Sequence, residues 1–82
     1  MDYIEMAGKR HEKIAEILRS RITSGELRPR QRLPSQKQMT TEFNTSNQTI
    51  SRAIADLRAR RYVWTLPHKG SYARPPEDWE QN

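Results

Sequence analysis

Eighty-two residues make one domain, near the lower size limit at which apolar burial alone can hold a fold. The chain contains no cysteine, which excludes a disulfide framework and a thiolate metal site and fits a reducing compartment. No apolar run approaches the roughly 18 residues needed to span a bilayer, and the opening MDYIEMAGKR lacks a signal-peptide layout. The expectation is a soluble, cytoplasmic, nucleoid-associated protein that needs no membrane, metal or cofactor.

The net charge of +5 is unevenly spread. Residues 1–27 are neutral, residues 28–74 carry ten basic groups against Glu42 and Asp56, and the segment from Pro75 holds Glu77, Asp78 and Glu80. A positive field concentrated on the middle of the chain is what a polyanion-binding face requires.

Residues 1–10 show no sustained period and read as an arm or a helical extension. From His11, Ile14, Ile17, Leu18 and Ile22 fall at helical spacing and predict one buried stripe on a helix running to about Ser24. Gly25 stands at the left-handed position that stops it. Pro29 forbids further helix, so a turn and a very short strand ending at Leu33 follow.

A second helix starts at a clear signal. Ser35 can cap the free N–H groups, Gln38 three residues on completes a capping box, and Pro34 blocks helix from upstream. Met39 and Phe43, one turn apart, point inward. Asn44 tolerates a left-handed turn, and Ser46 caps a third helix over residues 47–60. There Ile50, Ala53, Ile54 and Leu57 form the buried stripe, leaving Gln48, Ser51, Arg52, Ala55 and Ala59 outward. That face is small and polar, as a helix needs to enter a groove about 12 Å wide, although a solvated face would look similar. Tyr62 to Leu66 and Ser71 to Arg74 read as two short strands around a basic turn, Pro67-His68-Lys69-Gly70. Residues 75–82 are expected to be a frayed acidic tail or the start of a linker, unless Trp79 folds back.

The layout is mainly α with a small β wing, a winged helix-turn-helix over residues 11–74. The ordered set SGELRPRQRLPS, EFNTSNQTISRAIADL and a basic hairpin with glycine resembles the DNA-binding domain of the GntR family of bacterial transcription regulators. Phe43 leans toward the HutC-like branch. The resemblance implies sequence-specific binding of double-stranded DNA by a regulator, in the repressor sense, and not an enzyme. It places a DNA-facing basic residue at Lys37, the recognition-helix cap at Ser46, and a phosphate-facing hydroxyl at Thr49. It also marks departures. Asn47 and Ser51 stand where the family often has arginine, Arg52 lies one place along, and His68-Lys69-Gly70 replaces a G-x-G wing tip. Arg30 and Arg61 replace turn glycines, and if they keep positive φ each carries about 1–2 kcal/mol of strain. Family members usually continue into a ligand-sensing, dimer-forming domain, and these 82 residues hold no small-molecule effector domain.

Three kinds of contact are expected on that reading. Thr49, Arg28, Lys69 and Arg58 hold phosphates. Gln48 and Arg52 read base edges, with glutamine matching adenine and arginine matching guanine. The N-termini of the second and third helices face phosphates, with Ser46 sharing its hydroxyl. Each has a quieter alternative: Lys37 as a surface lysine, Ser46 as a cap only, Arg52 paired with Asp56, and His68 as a solvent-exposed turn residue. A palindromic operator would take two copies about one helical turn apart, and no leftover apolar stripe predicts more than a weak homodimer on DNA. The rival class is an architectural or excision-type factor, or a winged helix used for protein contact. An RNA reading is disfavoured, because no exposed aromatic platform is evident on the basic segment.

Overall fold

A computed structural model describes residues 3–80. The elements are helix α1 (Tyr3–Thr23), helix α2 (Gln36–Phe43), helix α3 (Asn47–Ala59), strands β1 (Val63–Leu66) and β2 (Gly70–Ala73), and a 3-10 turn (Pro76–Asp78). No helix among the described residues is long and apolar enough to cross a membrane.

The predicted extension at the N-terminus is continuous with the first helix, which starts at Tyr3 rather than near His11. Its end follows from Gly25, at φ 90°, and from the Leu27 N–H, which donates to the Arg21 carbonyl at 2.8 Å. The core-facing stripe of α1 is Ile14, Ala15, Leu18 and Ile22, all buried. Ile17 is not among them. At about 100° per residue it lies on the flank of the arc shared by the other four, and it is 43% exposed.

Helix α2 closes as its capping box dictates. The Ser35 hydroxyl accepts from the Gln38 N–H, Gln38 Oε1 accepts from the Ser35 N–H, and Asn44 ends the helix in the left-handed region at φ 51°. Met39 is buried, whereas Phe43 is half-buried against the core with the Arg21 guanidinium 5.5 Å from its ring centre. Helix α3 buries Ile50, Ala53, Ile54 and Leu57 against α1 and α2. Each isoleucine or leucine side chain taken fully out of water contributes about 1.5–3 kcal/mol.

The hairpin is antiparallel, pairing Val63 with Ala73, Trp64 with Tyr72, Thr65 with Ser71 and Leu66 with Gly70. The expected short strand before α2 is a single bridge, Arg32 to Tyr72, extended by Leu33 N–H to Ser71 O at 2.8 Å. It lies along the free side of β2.

The segment after Pro75 is folded as far as Glu80, contrary to a frayed tail. Trp79 packs beside Tyr62 with ring centres 5.7 Å apart, and its indole N–H donates to the Arg74 carbonyl at 2.9 Å. The Glu80 N–H donates to the Arg60 carbonyl at 3.1 Å. Partly burying an indole and satisfying its one donor together hold a short segment that its charge alone would have left in solvent. Arg60 is the joint here: it meets Glu16 at 3.2 Å, Glu80 at 3.4 Å and Asp56 at 3.7 Å, and stacks on Tyr62 at 5.5 Å.

Candidate nucleic-acid interface

The turn between α2 and α3 is three residues long, and both ends are clamped. Ser46 caps α3, accepting from the Thr49 N–H at 3.2 Å, and its hydroxyl lies 3.1 Å from that of Thr49. On the other side, Arg10 from α1 donates to the Phe43 and Asn44 carbonyls at 2.8 and 2.9 Å. These are carbonyls that a helix C-terminus leaves without intrahelical partners, and a guanidinium there also opposes the negative end of the dipole. Arg21 reinforces the joint through its ion pair with Glu42, which holds the Glu42 carboxyl below its ordinary pKa.

Gln36, at the first position of α2, ties the two helices together at their N-terminal ends. Its amide nitrogen donates to the Asn47 carbonyl at 3.0 Å and to the Ser51 hydroxyl at 2.9 Å. The carbonyl can only accept, so the amide orientation is fixed by chemistry. Sequence reasoning passed over both Arg10 and Gln36. The partners are 33 and 15 residues away, and a long polar side chain in a first turn has no signature of its own.

The outward face of α3 has the expected composition: Gln48, Ser51, Arg52, Ala55 and Ala59 are exposed, as are Asn47 and Lys37. Thr49 is half-buried. Two details differ from the expectation. Ser51 is not a free hydroxyl but the acceptor for Gln36. Asp56 does not pair with Arg52; its carboxylate faces Arg60, and among the described residues Arg52 has no hydrogen-bond or ion-pair partner. Both arginines are within one turn of Asp56, but Arg60 is also drawn by Glu16 and Glu80.

Between α3, the start of α2 and the hairpin runs an open cleft whose lining includes Arg32, Gln36, Ser51, Arg58, His68 and Gly70. The cleft sets the wing beside the edge of α3 that bears Ser51 and Arg58. His68 occupies the turn at φ 62°, and Gly70 at φ 92°. A β-carbon at Gly70 would stand 2.9 Å from Arg32 Nε, so glycine serves both the backbone angle and the guanidinium lying across it. Lys69 is exposed at the tip. Arg28 is exposed in the turn before Leu33, its N–H held by Gln31 Oε1 at 2.9 Å, and it does not line the cleft. Arg30 and Arg61 keep the positive φ angles, 71° and 69°, that make their side chains costly there.

Residues 10–72 match the family described as bacterial regulatory proteins, gntR family. The chain belongs to the GntR family. It is 30% identical over 67 residues to the histidine utilization repressor of Klebsiella aerogenes, covering 82% of this chain and 28% of that one. It is likewise 30% identical over 64 residues to the mannosyl-D-glycerate transport/metabolism system repressor MngR of Escherichia coli (strain K12), covering 78% and 27%. The chain thus spans less than a third of the length of these GntR relatives. Among solved structures, AraR(DBD) in complex with operator ORE1 superposes with a TM-score of 0.76 at 25% identity, covering 78% of each chain. The fold is the winged helix-turn-helix of the GntR DNA-binding domains.

Proposed function

We propose that this chain is a sequence-specific reader of double-stranded DNA that serves transcriptional repression. The observation that carries the reading is the outward face of α3, exposed, small and polar and set in a basic surround, in a fold shared with AraR(DBD), crystallised in complex with operator ORE1. On this reading α3 enters the major groove. Gln48 accepts from and donates to adenine, and Arg52, without an ion-pair partner among the described residues, offers a fork of donors to guanine. Asn47 stands at the same end of the helix. Thr49, Lys37, Arg28, Arg58 and the wing residues His68, Lys69 and Gly70 hold the sugar-phosphate rails, with Ser46 dividing its hydroxyl between cap and phosphate.

The relatives are named as repressors and as regulators rather than as catalysts, and the chain's chemistry is that of binding. The setting that follows is cytoplasmic. Two copies on a palindromic operator, related by a two-fold axis on the DNA, complete the proposal.

Selection of bound duplexes from a random pool tests specificity, half-site symmetry and stoichiometry together. Enrichment of a symmetric motif supports the reading. Recovery of an unbiased pool, with affinity falling steeply with salt, would support the architectural alternative instead.

A further inference from the structure

The hairpin has two faces, which meet at the tip, where Leu66 and Gly70 also reach the cleft beside α3. Thr65 and Ser71, hydrogen-bonded to each other at 3.0 Å, line the cleft with Ser51 and Arg58. Trp64, Leu66 and Tyr72 share the opposite face by strand alternation and register. They form a shallow apolar depression with Arg30, and Leu66 is 46% exposed. Three guanidinium groups rim it. Arg30 lies 5.9 Å and Arg74 5.0 Å from the Trp64 ring centre, and Arg32 lies across Gly70 beside Leu66. Arg74 is partly neutralised by Asp78 at 3.2 Å, whereas Arg30 and Arg32 have no ion-pair partner among the described residues. The patch is the aromatic surface on the basic segment that the sequence did not reveal.

We propose that this outer face of the wing is a docking surface for a partner protein, taking a short peptide segment in which aliphatic residues alternate with aspartate or glutamate. Two observations select that occupant. Arg30 and Arg32 leave the rim with a net positive charge despite the Arg74–Asp78 pair, so a second copy of the same face is repelled and an acidic segment is attracted. Arg30 and Arg74 both lie over the Trp64 ring and compete with a nucleic-acid base for stacking on it, whereas Leu66 and Tyr72 remain open to an aliphatic side chain. A backbone held at positive φ at Arg30 is consistent with a side chain retained for its charge rather than for the turn. Since Trp64, Tyr72, Arg30 and Arg74 lie outside the cleft beside α3, the peptide and a duplex are held together.

The test titrates the 82-residue protein with a fluorescein-labelled Asp-Leu-Glu-Leu repeat peptide, with the same peptide carrying Asn and Gln in place of Asp and Glu, and with single-stranded oligothymidylate. The readouts are anisotropy and the amide and indole N–H signals. The acidic peptide is expected to move Trp64, Leu66 and Tyr72, to bind in the presence of saturating duplex, and to exceed its neutral counterpart. Arg30→Gly is expected to weaken it about three- to fivefold, the scale of one exposed ion pair, while melting no lower than the parent because the turn is relieved. Equal binding of the neutral peptide, displacement by duplex, unmoved Trp64 signals, unchanged affinity in Arg30→Gly or tighter binding of the oligothymidylate would each overturn the proposal. Because the peptide is titrated without DNA as well, failure here leaves the operator-reading function untouched.

Discussion

Arg52 and Lys69 are both exposed cations, yet they are expected to respond differently to removal. Arg52→Ala should cost about 1–3 kcal/mol on the preferred operator and little on unrelated duplexes, because it deletes a fork of donors to one base. Lys69→Ala should weaken all duplexes alike and lower the slope of affinity against salt by about one counterion. Competition binding on specific and random duplexes at two salt concentrations separates the two, and a uniform loss for Arg52→Ala would reassign it to a phosphate. At this scale the sequence was legible where the relevant neighbour was close in the chain. The caps at Ser35 and Ser46, the left-handed Asn44 and the outward Gln48 and Arg52 all follow from residues within one turn. It was not legible where the partner came from elsewhere. Asp56 faces Arg60 because Glu16 of α1 and Glu80 of the C-terminal segment gather around the same guanidinium, and neither is visible from the spacing within α3.

For the elements, termini matter more than length. Helix α2 has only eight residues, too few to persist by propensity, so its capping box and the side chains of Arg10 and Gln36 set its stability. Ser46→Ala removes the cap of α3 and should lower stability by about 1 kcal/mol in a denaturant melt. Arg61→Gly should act in the opposite sense. It relieves a left-handed non-glycine residue while adding backbone freedom to the unfolded chain, for a net gain of about 0.5–1 kcal/mol. A melting temperature unchanged or lower in Arg61→Gly would show that the arginine makes compensating contacts. Periodicity found all three helices and the hairpin, but counted Ile17 into the core. Spacing of three from Ile14 is compatible with either flank of a stripe, and Ala15, small enough to sit under the packed α3, takes the buried place instead.

Over the whole molecule, the charge pattern has a consequence for acid stability. Arg21 donates to Glu42 and Arg19 to Glu16, and these bonds hold both carboxyls below their ordinary value of 4.5. A carboxyl with a depressed folded pKa stabilises the native state above the unfolded value, and the contribution disappears as pH falls through the folded value. Both pairs are substantially exposed, so each is worth about 0.2–1 kcal/mol. Glu42→Gln should therefore be slightly less stable than the parent at neutral pH. The gap should close in acid, and a gap independent of pH would show that the amide is lost as packing rather than as charge. The tail takes the course left open as the exception, Trp79 folding back. Its acidic composition argued for solvent, and only the three-dimensional proximity of Tyr62 and the Arg74 carbonyl gives Trp79 somewhere to go.

The helix-turn-helix is fastened at both ends, by Arg10 at the close of α2 and by Gln36 at its opening. A reader so fastened has little left to order when it meets its operator. Calorimetry of the association should accordingly give a heat-capacity decrement no larger than the area of a rigid contact implies, without the additional decrement that accompanies folding upon binding. Cutting either fastening should enlarge that decrement and slow the approach to equilibrium.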